Sequence, residues 1–322
     1  MLLCLVCVFG VGAMAQEATP EMTPEATQEV EATPVLLDAI DPFDVSGNMV
    51  IAGSSTVNPL TQRMIDSFID DGFIDTIVNE GGGTGAGFER FCISGETDIA
   101  NASRAIRDSE IEACEANGRT PIEFRVGTDA LAVVVTREND FIEDLTLEEL
   151  ALAFSTAATW DEVREGFPNE PIFRYAAGVD SGTFDYFVEA VFDTDEAPLL
   201  ESSNLQLSED DNVLVRGVIG NPYAIGFFGF AYYVENVETL NAISINGVVP
   251  TEETTEDGTY PLARPLFIYS DADIMQEKPQ VADFISYYLS NVNQYIISVG
   301  YFPASIEALN TAKQNWLEAI AR

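Results

Sequence analysis

Three short runs of small residues are where this chain could do chemistry. The first is Gly53-Ser54-Ser55-Thr56-Val57-Asn58-Pro59, and the second is Gly81-Gly82-Gly83-Thr84-Gly85-Ala86-Gly87-Phe88. The third is Asp180-Ser181-Gly182-Thr183-Phe184. Each stands between a strand-like stretch and a helix-like one. Each offers hydroxyls together with the backbone N–H groups that a helix start leaves unpaired, where the macrodipole also favours negative charge. Glycine lets the backbone approach a ligand closely. The chemistry this suits is reversible capture of a small anion. One such loop alone would be an ordinary Ser/Thr helix cap. Three of them, on strand ends that can converge, point to a site.

Other chemistries are excluded by what the chain lacks. The second loop has no Gly-Lys-Ser/Thr ending, so it is not a nucleotide-hydrolysing P-loop. Gly81-x-Gly83-x-x-Ala86 fits the loose dinucleotide pattern. Beyond it, however, the chain offers Ala102-Ser103-Arg104 rather than an acid after a second strand. There is no histidine among the 322 residues. That removes Ser-His-Asp and Cys-His catalysis and any His-ligated zinc site. No catalytic residue, metal or cofactor is expected. With 54 acids against 14 bases, a net charge of −40 argues against nucleic acid as a partner. It does not argue against a buried anion site, because charges more than about 8–10 Å away are largely screened at physiological ionic strength.

The elements that must position the loops alternate. Residues 48–52, 74–79, 98–101, 123–135 and 172–177 read as strands. Residues 59–70, 88–93, 147–155 and 184–192 read as helices, with Pro59 suited to the first turn of its helix. This rhythm predicts an α/β fold with largely parallel sheets covered on both faces. Two segments, 127–136 (GTDALAVVVT) and 260–269 (YPLARPLFIY), read as crossovers between two lobes. Lobe one is expected to comprise 46–134 and 264–322, and lobe two 135–263. Helices over 278–289 and 304–321 should pack back on lobe one.

The N-terminus reads differently. Residues 1–15 are apolar and end in Ala13-Met14-Ala15, a small-x-small cleavage pattern, so a signal peptide cut before Gln16 is expected. A lipid anchor on Cys4 or Cys7 is the alternative. Residues 16–45 carry eight acids and no base in a Thr/Pro/Glu quasi-repeat, and read as a disordered spacer. Once the signal is gone, Cys92 and Cys114 remain. In an exported chain they most simply form a disulfide, two buried thiols being the other reading.

Seven motifs in order, GSSTVNPL, GGGTGAGFERFC, TDIANASRAI, GTDALAVVV, DSGTFDYF, NPYAIGFFGFAYY and YPLARPLFIY, resemble those of the PstS-type phosphate-binding proteins. The likeness runs from about Asn48 to the C-terminus. It implies a type II periplasmic-binding-protein fold, whose two lobes close over an oxyanion about two hinge segments. It also implies phosphate as ligand, the permease of an ABC importer as partner, a location in the periplasm or on the outer face of the cytoplasmic membrane, and a monomer. By that likeness Ser55, Thr56, Thr84, Gly85, Ser181, Gly182 and Thr183 would hold phosphate oxygens. The chain departs from the best-known form of the family in two places. Arg104 stands where that form has an aspartate that accepts a phosphate proton, and Ala177 where it has an arginine. Arg104 is therefore expected to contact phosphate as a guanidinium. Asp129 is the first choice for a replacement proton acceptor. Asp180 is the second, though capping the following helix suits it better. Another tetrahedral oxyanion (sulfate, arsenate, molybdate), or a signalling or adhesion protein on the same scaffold, are the competing readings.

Overall fold

A computed structural model of the chain describes residues 33–179 and 181–321. The signal peptide expected at 1–15, with Cys4 and Cys7, lies outside the described residues, as do the greater part of the spacer and Asp180.

The strands in chain order are β1 (Met49–Gly53), β2 (Ile77–Glu80), β3 (Ile99–Ala102), β4 (Ile122–Thr136) and β5 (Asp144–Leu145). They continue with β6 (Phe173–Ala177), β7 (Leu205–Ser208), β8 (Ala224–Gly229), β9 (Leu240–Ala242), β10 (Ser244–Ile245) and β11 (Ala263–Ser270). Hydrogen bonds order the main sheet β2-β1-β3-β11-β4-β8-β6-β7, with β9 also on β4. β1 is parallel to β2 and β3, and β6 is parallel to β7 and β8. These are the pairs that helical crossovers connect. The centre is different: β11 is antiparallel to both β3 and β4, and β4 is antiparallel to β8 and β9.

β4 is 15 residues long and serves two cores. Phe124 and Val126 lie in the first, with Met49, Ile51, Phe68 and Phe284, while Leu131, Val133 and Val135 lie in the second, with Trp160, Phe187 and Phe227. The other crossover makes the same change, with Leu262 in the second core and Leu266 and Ile268 in the first. Two strands running side by side from one core to the other make the two-lobed fold that the sequence leads one to expect.

Helical periodicity explains the covering layer. The helix Asn58–Asp70 buries Leu60, Met64, Ile65 and Phe68, and Pro59 falls in its first turn, where a missing N–H costs nothing. The helices Pro279–Tyr295 and Ile306–Ile320 bury Phe284, Tyr288, Ala312 and Trp316 against the same core. Structured chain begins well before Gly47. Thr33 and Val35 bond Asn310 and Lys313 on the last helix, and Leu37 and Ile40 pack on the first core. This end of the spacer has apolar residues to bury, which the acid-rich composition of the whole segment conceals.

Cys92 and Cys114 are joined as a disulfide across 22 residues. The bond ties the helical turn Glu89–Ser94, which continues the second loop's helix, to the helix Asp108–Ala116.

A candidate anion-binding cleft

The first two loops are locked together by backbone contact. A Cβ on Gly53 would lie 2.1 Å from the Asn101 carbonyl oxygen, and one on Gly87 would lie 2.5 Å from the Gly53 Cα. Only glycine allows β1, β3 and the second loop's helix to approach so closely. Around this contact Ser54 N donates to Asn101 O (2.8 Å) and Thr61 Oγ1 donates to Asn101 Oδ1 (2.9 Å). The Tyr301 hydroxyl donates to Thr56 O (2.8 Å). Thr84 Oγ1 accepts from Ser103 N at 3.1 Å, which fixes the second loop to the end of β3.

Ser55, Thr56, Thr84, Gly85 and Arg104 line one cleft of about 330 Å³. Arg107, Asp185, Glu189 and Arg264 complete its walls. The third loop is placed differently. Ser181, Gly182 and Thr183 line a neighbouring pocket of about 220 Å³, together with Glu209, Asp211, Tyr232 and Tyr301. The two pockets meet where Gly182 presses on Thr56, since a Cβ on Gly182 would lie 3.2 Å from the Thr56 Cα. Ser181 caps the helix Gly182–Phe192, its hydroxyl accepting from Thr183 N at 3.2 Å.

That helix buries Phe184, Phe187 and Val188 in the second core. The 3.6-residue period then brings Asp185 and Glu189 to one face, and this face meets the cleft.

Arg104 is on the cleft wall, but its guanidinium is engaged. It donates to both carboxylate oxygens of Glu110, at 2.7 and 2.9 Å. The hydrogen bond to Glu110 raises the pKa of Arg104 further above its ordinary value. Burial pushes Glu110 up, yet the bonds from Arg104 and from Arg107 N hold it below the usual carboxylate range.

The central cation is one that sequence analysis passes over. Arg264, on β11, is buried to 8% exposure. Its Nε donates to Asp129 Oδ2 at 3.1 Å, its partner in register across β4. Nη2 donates to Thr56 Oγ1 (2.5 Å) and toward Gly182 O (3.4 Å), and Nη1 donates to Glu189 Oε2 (3.1 Å). The guanidinium lies 3.7 Å above the Tyr186 ring. One side chain thus touches the first loop, the third loop and both crossovers. The signal was present in the sequence, because Arg264 is the only charged residue in YPLARPLFIY. Asp129 stands behind Arg264 and does not line the cleft. Its Oδ1 is buried without a hydrogen-bond partner among the described residues. Burial raises its pKa, and Arg264 opposes the shift.

In the third-loop pocket, burial with Asp210 and Glu209 nearby pushes Asp211 up to about 6. An acid raised in the folded state contributes stability that is complete at low pH and is lost as pH rises through the folded value. Asp211→Asn is therefore expected to stabilise the protein at pH 7.5 by about 1 kcal/mol, after allowance for solvent screening. The gain should vanish near pH 4. Urea unfolding at the two pH values checks this.

Two α/β lobes joined by paired crossover strands, with hydroxyls and three arginines facing the cleft, define a solute-binding protein of the anion-capturing kind. A sequence profile described as the PBP superfamily domain matches residues 32–292. The chain belongs to this superfamily. Protein SphX of Synechocystis sp. is 41% identical over 287 residues, covering 86% of this chain and 84% of that one. The phosphate-binding protein PstS of Staphylococcus saprophyticus is 33% identical over 255 residues, covering 77% of this chain and 78% of that one. Among solved structures, a possible phosphate binding protein from Planctomyces limnophilus matches with a TM-score of 0.79 and 37% identity, over 86% of this chain and 100% of that one.

Proposed function

We propose that this protein captures inorganic phosphate in the cleft between its lobes, outside the cytoplasmic membrane, and hands it as a monomer to the permease of an ABC importer without chemical change. Lobe one would comprise 46–134 with 264–322, and lobe two 135–263. The observation that carries the reading is the placement of cations. In a chain with 14 bases and 54 acids, Arg104, Arg107 and Arg264 face one cleft of about 330 Å³ beside Ser55, Thr56 and Thr84. Cations this scarce are not gathered by composition alone. Guanidinium forks and hydroxyls match the oxygens of a tetrahedral anion. Relatives named as phosphate-binding proteins support the same ligand. Export is consistent with the disulfide, and no helix among the described residues is long and apolar enough to cross a membrane.

Asp185 on the same wall favours phosphate over sulfate. Near neutral pH phosphate brings a proton that a carboxylate can accept, whereas sulfate would meet only like charge. In this reading Ser55, Thr56, Thr84, Gly85 and Arg104 hold the anion from lobe one. Ser181, Gly182 and Thr183 engage it from lobe two, so that binding itself draws the lobes together. Asp129 is the buried acid that neutralises Arg264 from behind.

Calorimetric titration of the ligand-stripped protein tests the proposal. One-to-one binding of phosphate, with no response to sulfate, is the expected result. Sulfate binding as tight as phosphate would overturn the named ligand, and silence toward both would overturn the transport role.

A further inference from the structure

The contacts of Arg264 are unequal, and the inequality has a consequence for binding. Asp129, Thr56 and Tyr186 are buried at 1%, 3% and 6% exposure, so Arg264 meets them on surfaces that water does not reach. Glu189 is different, because its side chain is 58% exposed. It reaches Nη1 of Arg264 from the second-lobe helix at 3.1 Å, and both residues face the cleft. Nη1 has no other hydrogen-bond partner among the described residues. A carboxylate thus sits on the one edge of the central guanidinium that an anion in the cleft would need.

We infer that Glu189 is an internal anion that occupies Arg264 in the empty protein, is exchanged for the ligand on binding, and thereby sets the affinity of the cleft. The inference rests on the phosphate reading above and adds a residue to it. The exchange is one anion for another on the same donor, so the guanidinium stays paired and no bare buried charge is created. An ion pair whose carboxylate is 58% exposed costs less to break than one buried on both sides, which leaves Glu189 free to move away while Asp129 stays in place. The exchange also couples ligand to shape. Glu189 ties the second-lobe helix to the crossover strand, and its release frees that helix as phosphate enters.

The groups facing Glu189 are Arg264 from β11, Asp185 one turn earlier on its own helix, and Arg104 and Arg107 across the cleft. The Asp185 side chain makes no hydrogen bond or ion pair with a described residue and provides the control. It shares the helix face and the charge of Glu189 but holds no cation. The phosphate dissociation constants of wild type, Glu189→Gln and Asp185→Asn are to be measured by calorimetry on the ligand-stripped protein. Glu189→Gln is expected to bind phosphate about 3- to 10-fold more tightly than wild type, the range of a half-exposed pair plus the repulsion removed with it. Asp185→Asn is expected to gain less. Unchanged or weaker binding by Glu189→Gln would overturn the exchange. So would an equal or larger gain from Asp185→Asn, since the charge of the cleft would then explain both. A wild type that ignores phosphate would bring down the phosphate reading and this inference together. Phosphate binding by wild type with the wrong order of variants would bring down the inference alone.

Discussion

Replacing Arg264 by methionine is expected to weaken phosphate binding about 100-fold or more, the scale of truncating one partner of a desolvated charge pair. Among the described residues, no other side chain hydrogen-bonds the first loop, the third loop and the facing crossover strand at once. The single substitution would also leave Asp129 buried at 1% exposure without its cation, which costs about 3–5 kcal/mol. Folding and binding are separated by the pair Arg264→Met with Asp129→Asn, which removes both charges together. That double variant should unfold in urea close to wild type and still fail to bind phosphate in calorimetry. Wild-type affinity in the folded double variant would show that Arg264 is a structural strut and that the anion is held elsewhere in the cleft.

The second large effect lies far from the cleft. Arg174 on β6 has no exposed surface, and no carboxylate is among its partners. Its guanidinium instead gathers carbonyl oxygens, those of Ala153 (2.5 Å), Ser203 (2.6 Å), Ile172 (3.4 Å) and Ala157. Burial lowers its pKa to about 10, so it remains charged at neutral pH and is held by dipoles alone. These carbonyls end the helix Leu147–Ala153 and open the neighbouring loops, and the guanidinium supplies a donor to all four, with Asn204 Nδ2 adding a second on Ile172 O at 3.1 Å. Arg174→Met should destabilise the protein by about 4 kcal/mol, because several buried acceptors lose their donor at once. Arg174→Lys should recover only part of this, since an ammonium cannot reproduce the planar fork. Urea unfolding of both variants checks the order. A loss below about 1 kcal/mol in Arg174→Met would mean that water replaces the guanidinium and that the site is less dry than its packing suggests.

Much of this was legible in the residues because it depends on local periodicity. The alternation of strand and helix patterns marks β1, β3, β4 and β6 and the helices that follow the loops. The long apolar run after Gly127 already reads as a crossover, and the strand that carries it is 15 residues long. β7, β8 and the helix Asp211–Ile219 are harder to read. A short stretch such as Leu205–Ser208 carries no period that separates strand from loop, and Ala224–Gly229 is buried throughout, so it shows no alternation.

The cleft divides along the same line. Ser55, Thr56, Thr84 and Gly85 are recognisable because each lies in a small-residue loop at a helix start, and local chemistry is what a sequence displays, whereas Arg104 stands out only through the family resemblance. Arg264 does not, because its meaning comes from Asp129, 135 residues away, and from Glu189, 75 residues away. Arg104 shows the converse, for its type is visible but its engagement by Glu110 is not.

Composition and motif order by themselves determined that this is a histidine-free α/β protein with three small-residue loops suited to an anion. They pointed as well to a pairing of Cys92 with Cys114. Tertiary structure alone decided which cation stands at the centre, which acids face it, and that the third loop meets the first through Gly182 against Thr56. The physical reason is that a charge acquires its role from the partners that desolvate and neutralise it, and those partners are brought together only by the pairing of β4 with β11 and the packing of the helix Gly182–Phe192 over them.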